Sequence, residues 1–500
     1  MLATWPAVRD ARTSFLAGGA PGYGEAAPGD HLQTGYRFWL VGHQLGQGGA
    51  PWRDPYSFRP ESAPRPNLGG WPFGLPYWPL HALFGTVVAW NLFVLLSYLG
   101  AGGLACAWLR ALGLARGPAL VGGLAFALAP YRVEQSTGHL LGPISMLLPL
   151  SLWALERRRP VVAAAALASI PLSGQVHLAL GAIPFVLAYA AARGRIRQAL
   201  PAAALAVAAG LLVDHAVIAG SLQAGGRSLR EVTRYSAEWS DLVSRHKGET
   251  AETFVFLGWA TPLLALAGLT AVGRRGLAVV LAAGAAAPVL LSLGTNLPLY
   301  AWLWRHVPGF RFPRVPERLM PIACLCLAAL VAYALQDRRR LAPLALVLVA
   351  LDLHVPLYGA SVADEGNRAY AALRGAPPGR LLELPVYLPD VHLGSVYLYY
   401  DMQARRQRPL GYSTLATATD DATARRLRDQ LSPELLRRLG VRYVAVHRGG
   451  RLRLPGYRVL ARDGPITMYE RGLNSPDDHD SIAGWKPLRA PRQSAARRRP

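Results

Sequence analysis

Three arginines in the stretch GFRFPRVPERLM could form a site for phosphate. Arg311, Arg314 and Arg318 precede a long apolar run, and Glu317 is the acid nearest to them in the sequence. The planar fork of a guanidinium group matches phosphate oxygens with parallel hydrogen bonds, and the two prolines between the arginines stiffen the segment. The alternative is interfacial anchoring, in which the arginines extend to lipid headgroups. We favour a lipid-phosphate or pyrophosphate site over anchoring.

Two acidic residues could act as catalytic carboxylates or as structural partners. Asp30 begins a segment with helical periodicity, where an N-cap or a helix-dipole partner is common. The residues alone leave that interpretation and a catalytic role open. Glu134, in APYRVEQSTGHL, lies between Arg132 and His139. An interfacial ion pair of Arg132 with Glu134 is the simpler interpretation there, and we favour it slightly.

The composition indicates a polytopic membrane protein. Of the 500 residues, 52% are hydrophobic and 17% are charged, against about 25% charged in soluble proteins. A helix needs about 20 apolar residues to cross about 30 Å of hydrocarbon. The sequence predicts ten transmembrane helices, at residues 83–110, 116–131, 141–156, 160–173, 175–193, 197–219, 253–272, 277–293, 317–336 and 340–358.

The net charge of +23 does not indicate nucleic-acid binding. The basic residues are almost all arginine, since lysine occurs only as Lys247 and Lys486. No zinc-finger, RNA-recognition or helix-turn-helix pattern accompanies them, and the sequence has no P-loop, HExxH, GxSxG or dinucleotide fingerprint. The three cysteines, Cys106, Cys324 and Cys326, lie in apolar runs and form no disulfide framework.

Short basic connections between the apolar runs fix the orientation. By the positive-inside rule these connections are cytoplasmic. The regions 1–82, 131–140, 219–252, 294–316 and everything after 358 are then external, which places the candidate acids and the arginine-rich segment on one side. The basic connections contain Arg110 and Arg116; Arg157, Arg158 and Arg159; Arg193, Arg195 and Arg197; Arg274 and Arg275; and Arg338, Arg339 and Arg340.

The chain divides into four regions. Residues 1–82 form an external first loop, in which Leu32, Tyr36, Trp39 and Leu40 share one face of a helix suited to lying in the membrane interface, followed by a Pro- and Gly-rich loop. Residues 83–358 form the transmembrane domain. Residues 359–470 predict an external α/β domain with strands at RLLELPV, VRYVAVH, YRVLARD and ITMYE and one helix over DDATARRLRDQLSPELLRRLG. Residues 471–500 predict a disordered basic tail.

Several other polar residues are weaker candidates. Gln175 and His177 flank a break between two apolar runs. Asp352 lies inside an apolar run, where an unpaired acid is costly, so we expect it to have a partner. The mixed charge of the loop 219–252 favours a solvated lid, and nothing in the C-terminal domain indicates catalysis.

Four stretches together resemble the GT-C superfamily of membrane glycosyltransferases, which includes protein mannosyltransferases and lipid A aminoarabinose transferases. They are TWPAV with PGDHLQ, FALAPYRVEQSTGHL, SLGTNLPLYAWLWRHVPGFRFPRVPERLM, and GRLLELPV with RPLGYST and LRRLGVRYVAVH, and the last two resemble an uncharacterised bacterial branch. The resemblance covers almost the whole chain. The family pattern has a further transmembrane helix before the acidic loop, which would be an eleventh, and only MLATW precedes Pro6, so this sequence starts downstream of that helix or lacks it.

The resemblance implies a mainly α polytopic enzyme of the bacterial inner membrane with an extracytoplasmic C-terminal domain. Its donor would be a sugar on polyprenyl phosphate, and its acceptor an extracytoplasmic glycan, lipid or protein, with inversion at the anomeric carbon. Asp30 would be the catalytic base, Glu134 and His139 would support the acceptor or a metal, and Arg311, Arg314 and Arg318 would bind the lipid phosphate. A divalent cation as cofactor is left open.

Two other functions compete with the transferase. A transporter or flippase of lipid-linked intermediates would also need external arginines, although we find none of the internal repeats common in transporters. A non-catalytic envelope protein of the same fold is the third possibility. Asp30 separates these hypotheses, because only the enzyme needs its carboxylate as a base.

Overall fold

The computed structural model of the chain describes residues 2–247, 251–307, 309–450 and 456–472, and these residues are mostly helical. The helices are α1 (Asp30–Gly46), α2 (Gly74–Ala111), α3 (Arg116–Ala127), α4 (Pro130–Gln135), α5 (Leu141–Ile144), α6 (Leu147–Glu156), α7 (Pro160–Leu172), α8 (Val176–Ala192), α9 (Ile196–Val213), α10 (Leu229–Arg234), α11 (Ala260–Ala271), α12 (Arg275–Ser292), α13 (Pro298–His306), α14 (Met320–Ala334), α15 (Ala342–Asp352), α16 (Arg368–Ala371), α17 (Ser395–Gln403), α18 (Ala418–Asp429) and α19 (Pro433–Arg438). The strands are β1 (Ser14–Ala17), β2 (Arg53–Asp54), β3 (Arg65–Pro66), β4 (Gly359–Val362), β5 (Arg380–Leu384), β6 (Val441–Val446), β7 (Tyr457–Asp463) and β8 (Ile466–Arg471).

Every predicted apolar run contains helix. Among the described residues, four helices are long and apolar enough to cross a membrane: Gly74–Ala111, Ile196–Ile218, Arg275–Ser292 and Pro316–Ala334. Shorter apolar helices, such as α7 and α8, pack beside them. The helical, membrane-type architecture is therefore as predicted, while the count of ten spans stays a prediction.

The first long helix begins earlier than the sequence indicated. Residues 74–82, predicted as part of a loop, form the first turns of α2, and Gly85 interrupts the helix with φ 74° and ψ −178°. Glycine tolerates this left-handed φ because it has no Cβ. The Pro- and Gly-rich stretch therefore contains no α-helix up to Phe73 and is helical from Gly74 onward.

Helix α1 is covered by protein and does not lie open in the membrane interface. Leu32, Tyr36, Trp39 and Leu40 are all buried within the chain, because α1 packs against α2 and α17. The predicted apolar face is correct, but its expected lipid contact is wrong. An amphipathic pattern reports that a face is apolar and does not reveal whether lipid or protein covers it.

The N-terminal region and the start of the C-terminal region join in one small sheet. Strand β1 pairs antiparallel with β4, with Ser14 opposite Val362. Asn91 of α2 fixes β1, since its Oδ1 accepts from the Leu16 amide at 2.7 Å. The indole of Trp90 donates to the Leu16 carbonyl at 3.0 Å. The first external region is therefore fastened to both the helical bundle and the C-terminal region.

The C-terminal region is an α/β unit with sheet order β5-β6-β8-β7, in which β5 and β6 are parallel and the other pairs antiparallel. The four predicted strands are confirmed. The single predicted helix is wrong: Ser432 accepts from the Leu435 amide and starts α19 after a break. Arg471 belongs to β8, and the rest of the expected tail, residues 473–500, lies outside the described residues.

Asp352 has hydrogen-bond partners for its buried carboxylate, as expected from the sequence. Its carboxylate accepts from the backbone amides of Trp259, Ala260 and Thr261 at 2.8, 3.0 and 2.8 Å. These are free amides at the start of α11, where a negative charge is favourable. Asp352 therefore connects α15 to the start of α11 and has a structural role.

Candidate active site

A polar cavity of about 580 Å³ lies where α1, the start of α8, the arginine-rich segment and the C-terminal region meet. We call it the polar cavity. It lies at the ends of α8 and α14 that are opposite the basic connections, because His177 and Arg318 line it and Arg193 and Arg338 follow the other ends. The charged and polar residues that line it include Asp30, Arg37, His139, Gln175, His177, Arg227, Glu252, Arg314, Arg318 and Tyr412.

Asp30 is the first residue of α1, but it does not cap the helix. Gly29 occupies the N-cap position, and no side chain caps this end. The Asp30 carboxylate instead accepts from His139 Nε2 at 2.6 Å and from the Tyr412 hydroxyl at 3.0 Å. The N-cap interpretation of Asp30 is therefore wrong, while its place beside the positive end of the helix dipole remains.

Asp30 and His139 form an ion pair whose members shift each other's pKa. Burial alone would raise the pKa of the Asp30 carboxyl, but His139 and the hydrogen bonds from His139 and Tyr412 outweigh it and hold this pKa below its usual value. Burial would lower the pKa of His139, but the Asp30 carboxylate raises it above its usual value. Each residue therefore stabilises the charged form of the other.

Gln135 joins this ion pair to Arg318. Its Oε1 lies 2.9 Å from His139 Nδ1 and accepts a hydrogen bond from Arg318. Its Nε2 donates to Glu134 Oε2 at 2.5 Å. The amide oxygen thus faces two cations and the amide nitrogen faces a carboxylate. His139 Nδ1 also lies 3.3 Å from the Arg318 guanidinium. A neutral ring can donate to Asp30 while its Nδ1 accepts from Arg318, whereas an imidazolium can donate to both Asp30 and Gln135.

Glu134 is buried beside the site, but its partner differs from the prediction. Lys247 Nζ lies 3.3 Å from Glu134 Oε1, whereas the guanidinium of Arg132 donates to Ser145 Oγ at 3.1 Å and to the Ser97 carbonyl at 2.9 Å. The predicted Arg132–Glu134 ion pair is therefore wrong, because residues two apart on a helix point in different directions. Burial raises the pKa of Glu134 even though nearby cations oppose the shift.

The three arginines of the proline-rich segment occupy different places. Arg318 lines the polar cavity and lies 3.9 Å from Glu252. Arg314 also lines it, with its guanidinium 5.1 Å from the ring centre of Tyr235. Arg311 instead donates to the Trp304 carbonyl at 3.2 Å. The structure thus brings Arg314 and Arg318 to the cavity and turns Arg311 toward α13.

Two of the cavity arginines are unpaired. Among the described residues, neither Arg37 of α1 nor Arg314 has an ion-pair or hydrogen-bond partner for its guanidinium group. Burial lowers the pKa of Arg37, although Tyr412 and Asp30 oppose this shift. The Nδ1 of His177 is also buried with no hydrogen-bond partner in the same part of the chain. Cations and a ring nitrogen left unpaired in one cavity are suited to an anionic ligand.

Sequence reasoning missed several of these residues. The loop 219–252 was expected to be a solvated lid, yet its Arg227 and Glu252 line the cavity. Nothing in the C-terminal domain indicated catalysis, yet the hydroxyl of its Tyr412 reaches Asp30. Periodicity around Arg37 could have indicated that it follows Asp30 on α1, but no local signal connects Tyr412 to a residue so distant in sequence.

No metal site accompanies the cavity within the part of the chain that the structure describes. No group of three His, Cys, Asp or Glu side chains there is arranged to hold a metal ion. Asp30 and His139 are paired with each other, and Glu134 is paired with Lys247. A divalent cation as cofactor stays a prediction.

Comparisons with known proteins identify the fold. No family model and no curated protein matches the sequence. The mycobacterial arabinofuranosyltransferase AftD superposes with a TM-score of 0.52 at 17% identity, over 92% of this chain and 41% of AftD. ArnT from Cupriavidus metallidurans in the apo state superposes with a TM-score of 0.49 at 15% identity, over 91% of this chain and 94% of ArnT. The oligosaccharyltransferase AglB from Archaeoglobus fulgidus superposes with a TM-score of 0.48 at 13% identity, over 89% of this chain and 67% of AglB. That AglB structure is a complex with an inhibitory peptide and a dolichol-phosphate.

The match to AftD establishes the fold. It covers most of this chain, which spans 41% of the length of AftD. AftD is a GT-C glycosyltransferase, so the predicted GT-C-like fold is confirmed. An identity of 17% is too low to transfer an activity or a substrate along with the fold.

Proposed function

We propose that this chain is a membrane glycosyltransferase that transfers a sugar from a polyprenyl-phosphate donor to an acceptor outside the cytoplasm. One observation carries the proposal. An ionised acid, Asp30, shares a cavity with two unpaired arginines, Arg37 and Arg314, at the ends of membrane helices opposite the basic connections. The GT-C fold supports it, because AftD has the same architecture.

The unpaired arginines suit the leaving group of this reaction. When the bond between the sugar and the phosphate breaks, the phosphate gains negative charge. Cations held in place before the reaction stabilise that charge more in the transition state than in the ground state. Arg37 and Arg314 are free to bind it, and Arg227 lines the same cavity while pairing with Glu231. We assign the phosphate to Arg37 and Arg314. Arg318 is not assigned to it, because its guanidinium already contacts Gln135 and Glu252.

Asp30 is placed to receive the acceptor. Its carboxylate is one-third exposed to the cavity, and His139 and Tyr412 fix its orientation. A carboxylate with a lowered pKa is a weak base, so it first orients the acceptor hydroxyl. It takes the proton late, when bonding to the anomeric carbon has made the hydroxyl acidic. Attack on the face opposite the phosphate would invert the anomeric centre.

The surroundings fit a bacterial inner-membrane enzyme whose cavity opens on the outer face. The donor would enter laterally from the bilayer, since its polyprenyl chain is soluble only there. The acceptor, an extracytoplasmic glycan, lipid or protein, would enter from the aqueous side past the C-terminal region. No nucleotide is needed, because the donor sugar arrives already linked to the lipid.

The test is the fate of the donor in a strain that lacks the gene. Polyprenyl-phosphate sugars are measured by mass spectrometry after complementation with the wild type, Asp30→Asn or Asp429→Asn. Asp429 is an exposed acid of α18 and serves as the matched control. We expect a lipid-linked sugar to accumulate and to be cleared by the wild type and Asp429→Asn but not by Asp30→Asn. Clearance by Asp30→Asn at the wild-type rate would contradict a catalytic role and favour a carrier.

A further inference from the structure

A second cavity, of about 480 Å³, lies between residues 21–28 and the C-terminal α/β unit. We call it the aromatic cavity. It is close to the polar cavity along the chain, since Pro28 lines one and Asp30 lines the other. Its volume lies within the range of small-molecule sites. None of the steps proposed above uses it.

Tyrosine rings form one wall of the aromatic cavity. Tyr387 and Tyr397 stack with ring centres 5.6 Å apart and planes at 27°. The hydroxyl of Tyr397 donates to the Pro385 carbonyl at 2.7 Å, so its hydroxyl is occupied while its ring lines the cavity. Tyr23 stands at the rim with 86% of its surface exposed. An aromatic wall of this kind offers ring surface rather than charge.

A small polar cluster faces this wall. The Glu25 carboxylate accepts from His447 Nδ1 at 2.6 Å and from the Arg448 amide at 3.0 Å. The other ring nitrogen of His447 lies 2.9 Å from the Tyr370 hydroxyl. The guanidinium of Arg448 lies 5.8 Å from the ring centre of Tyr387. The cluster therefore holds one carboxylate rigidly and presents one exposed guanidinium beside an aromatic ring.

The backbone is strained on both sides of the opening. Tyr23 has φ 49° and Arg448 has φ 61°, and both residues line the aromatic cavity. Such left-handed conformations are unfavourable for residues with a Cβ and concentrate at ligand-binding positions. Only four non-glycine residues in the described ranges have positive φ, so two of the four lie at one opening. These two residues place an aromatic ring and a cation at the rim.

We propose that the aromatic cavity binds a neutral sugar ring of a glycan. The C–H face of a sugar packs on an aromatic ring, and the fork of an arginine and a fixed carboxylate bind its hydroxyls. A phosphate would meet the Glu25 carboxylate beside a single guanidinium. A lipid chain would place hydrocarbon against the Arg448 guanidinium and give it no polar partner. The mixture of rings with one cation and one anion therefore fits a neutral, hydroxyl-rich ligand best.

The cavity would hold a more distant unit of the acceptor, an assignment that rests on the proposed function. Gly29, between Pro28 and Asp30, donates to Ser395 Oγ at the start of α17. Val396 of the same helix lines the aromatic cavity. A glycan that crosses this short ridge would present its end to Asp30 while an inner sugar occupies the aromatic cavity. Such a second contact would select long acceptors over single sugars.

The experiment measures glycan binding without turnover. The full chain, purified in detergent, is screened against neutral oligosaccharides of mannose, glucose, galactose and arabinose, and the best binder is titrated by calorimetry. We expect Tyr23→Ala and Arg448→Ala to weaken binding by about tenfold each, the effect of losing one ring or charged contact. Both side chains are exposed, so their loss should not unfold the protein. Arg438→Ala, an exposed arginine of α19, is the matched control and should bind normally.

A pair of variants inside the cavity separates the ring from the hydroxyl. Tyr387→Phe keeps the ring and should bind within about twofold of the wild type, whereas Tyr387→Ala should lose about tenfold. Failure of the wild type to bind any neutral glycan, or binding unchanged by Tyr23→Ala and Arg448→Ala together, would overturn this inference. Binding is also measured for Asp429→Asn, the exposed acid of α18, and should persist. If glycans bind but no lipid-linked sugar accumulates in the deletion strain, the proposed function fails alone.

Discussion

At the scale of residues, Asp30 depends on two side chains that lie far from it in sequence. His139 follows α4, and Tyr412 lies in the C-terminal region, and both donate to the same carboxylate. The sequence singled out Asp30 and His139 separately but did not pair them. A contact between residues so far apart depends on how the helices pack, which local periodicity does not encode.

Replacing Tyr412 with phenylalanine tests the orientation of Asp30. The change removes one hydrogen bond to a charged group, worth about 1.5–3 kcal/mol, while the ring still fills its place. We expect the rate of sugar transfer by purified enzyme to fall by at least about tenfold, with the KM for the lipid donor little changed. Transfer at the wild-type rate would show that His139 alone orients the carboxylate.

The pH dependence of stability tests the ion pair. Asp30 raises the pKa of His139 above 6.5, so the stabilisation is fully present below that pH and is lost as the pH rises through the raised value. On the acid side, the lowered pKa of Asp30 keeps the stabilisation present above 3.8 and loses it as the pH falls through the lowered value. Thermal unfolding in detergent should therefore show a wild-type advantage over His139→Gln that shrinks with alkaline pH. If the difference in unfolding temperature between the wild type and His139→Gln stayed constant across the alkaline range, the stabilising role of the Asp30–His139 ion pair would be contradicted.

At the scale of elements, the apolar runs were predictable and their partners were not. Runs of low charge gave helices in every case, because a long apolar stretch must satisfy its backbone internally. The face of α1 was also predictable, but whether α17 or lipid covers it was not. The loop 219–252 was misjudged for the same reason. A loop of mixed charge is expected to be exposed to solvent when only its sequence is considered. In the structure, Arg227 and Glu252 of this loop line the polar cavity.

The arginine-rich segment offers a matched pair of variants. Arg314 lines the polar cavity, whereas Arg311, three residues earlier, contacts α13. We expect Arg314→Ala to raise the KM for the lipid donor by about tenfold or more, since it removes a charge-assisted contact to phosphate. Arg311→Ala should change this KM by less than about twofold. Steady-state kinetics with a polyprenyl-phosphate sugar measures both, and equal effects would point to general anchoring at the membrane surface.

At the scale of the whole molecule, the C-terminal unit completes a site that the helical bundle begins. Composition alone gave the membrane class, and the resemblance gave the GT-C architecture that the match to AftD bears out. What remained hidden was how closely the regions interlock. The C-terminal region supplies Tyr412 to the polar cavity and most of the walls of the aromatic cavity.

The pairing of β1 with β4 has a consequence for biosynthesis. The ribosome makes Ser14 long before Val362, its partner in the sheet. At about 5–20 residues per second, the first strand waits on the order of tens of seconds for the second. During that interval the helices can insert while Asp30, a few residues beyond β1, still lacks Tyr412. The polar cavity is therefore complete only when synthesis is nearly finished, because the hydroxyl that contacts Asp30 belongs to Tyr412.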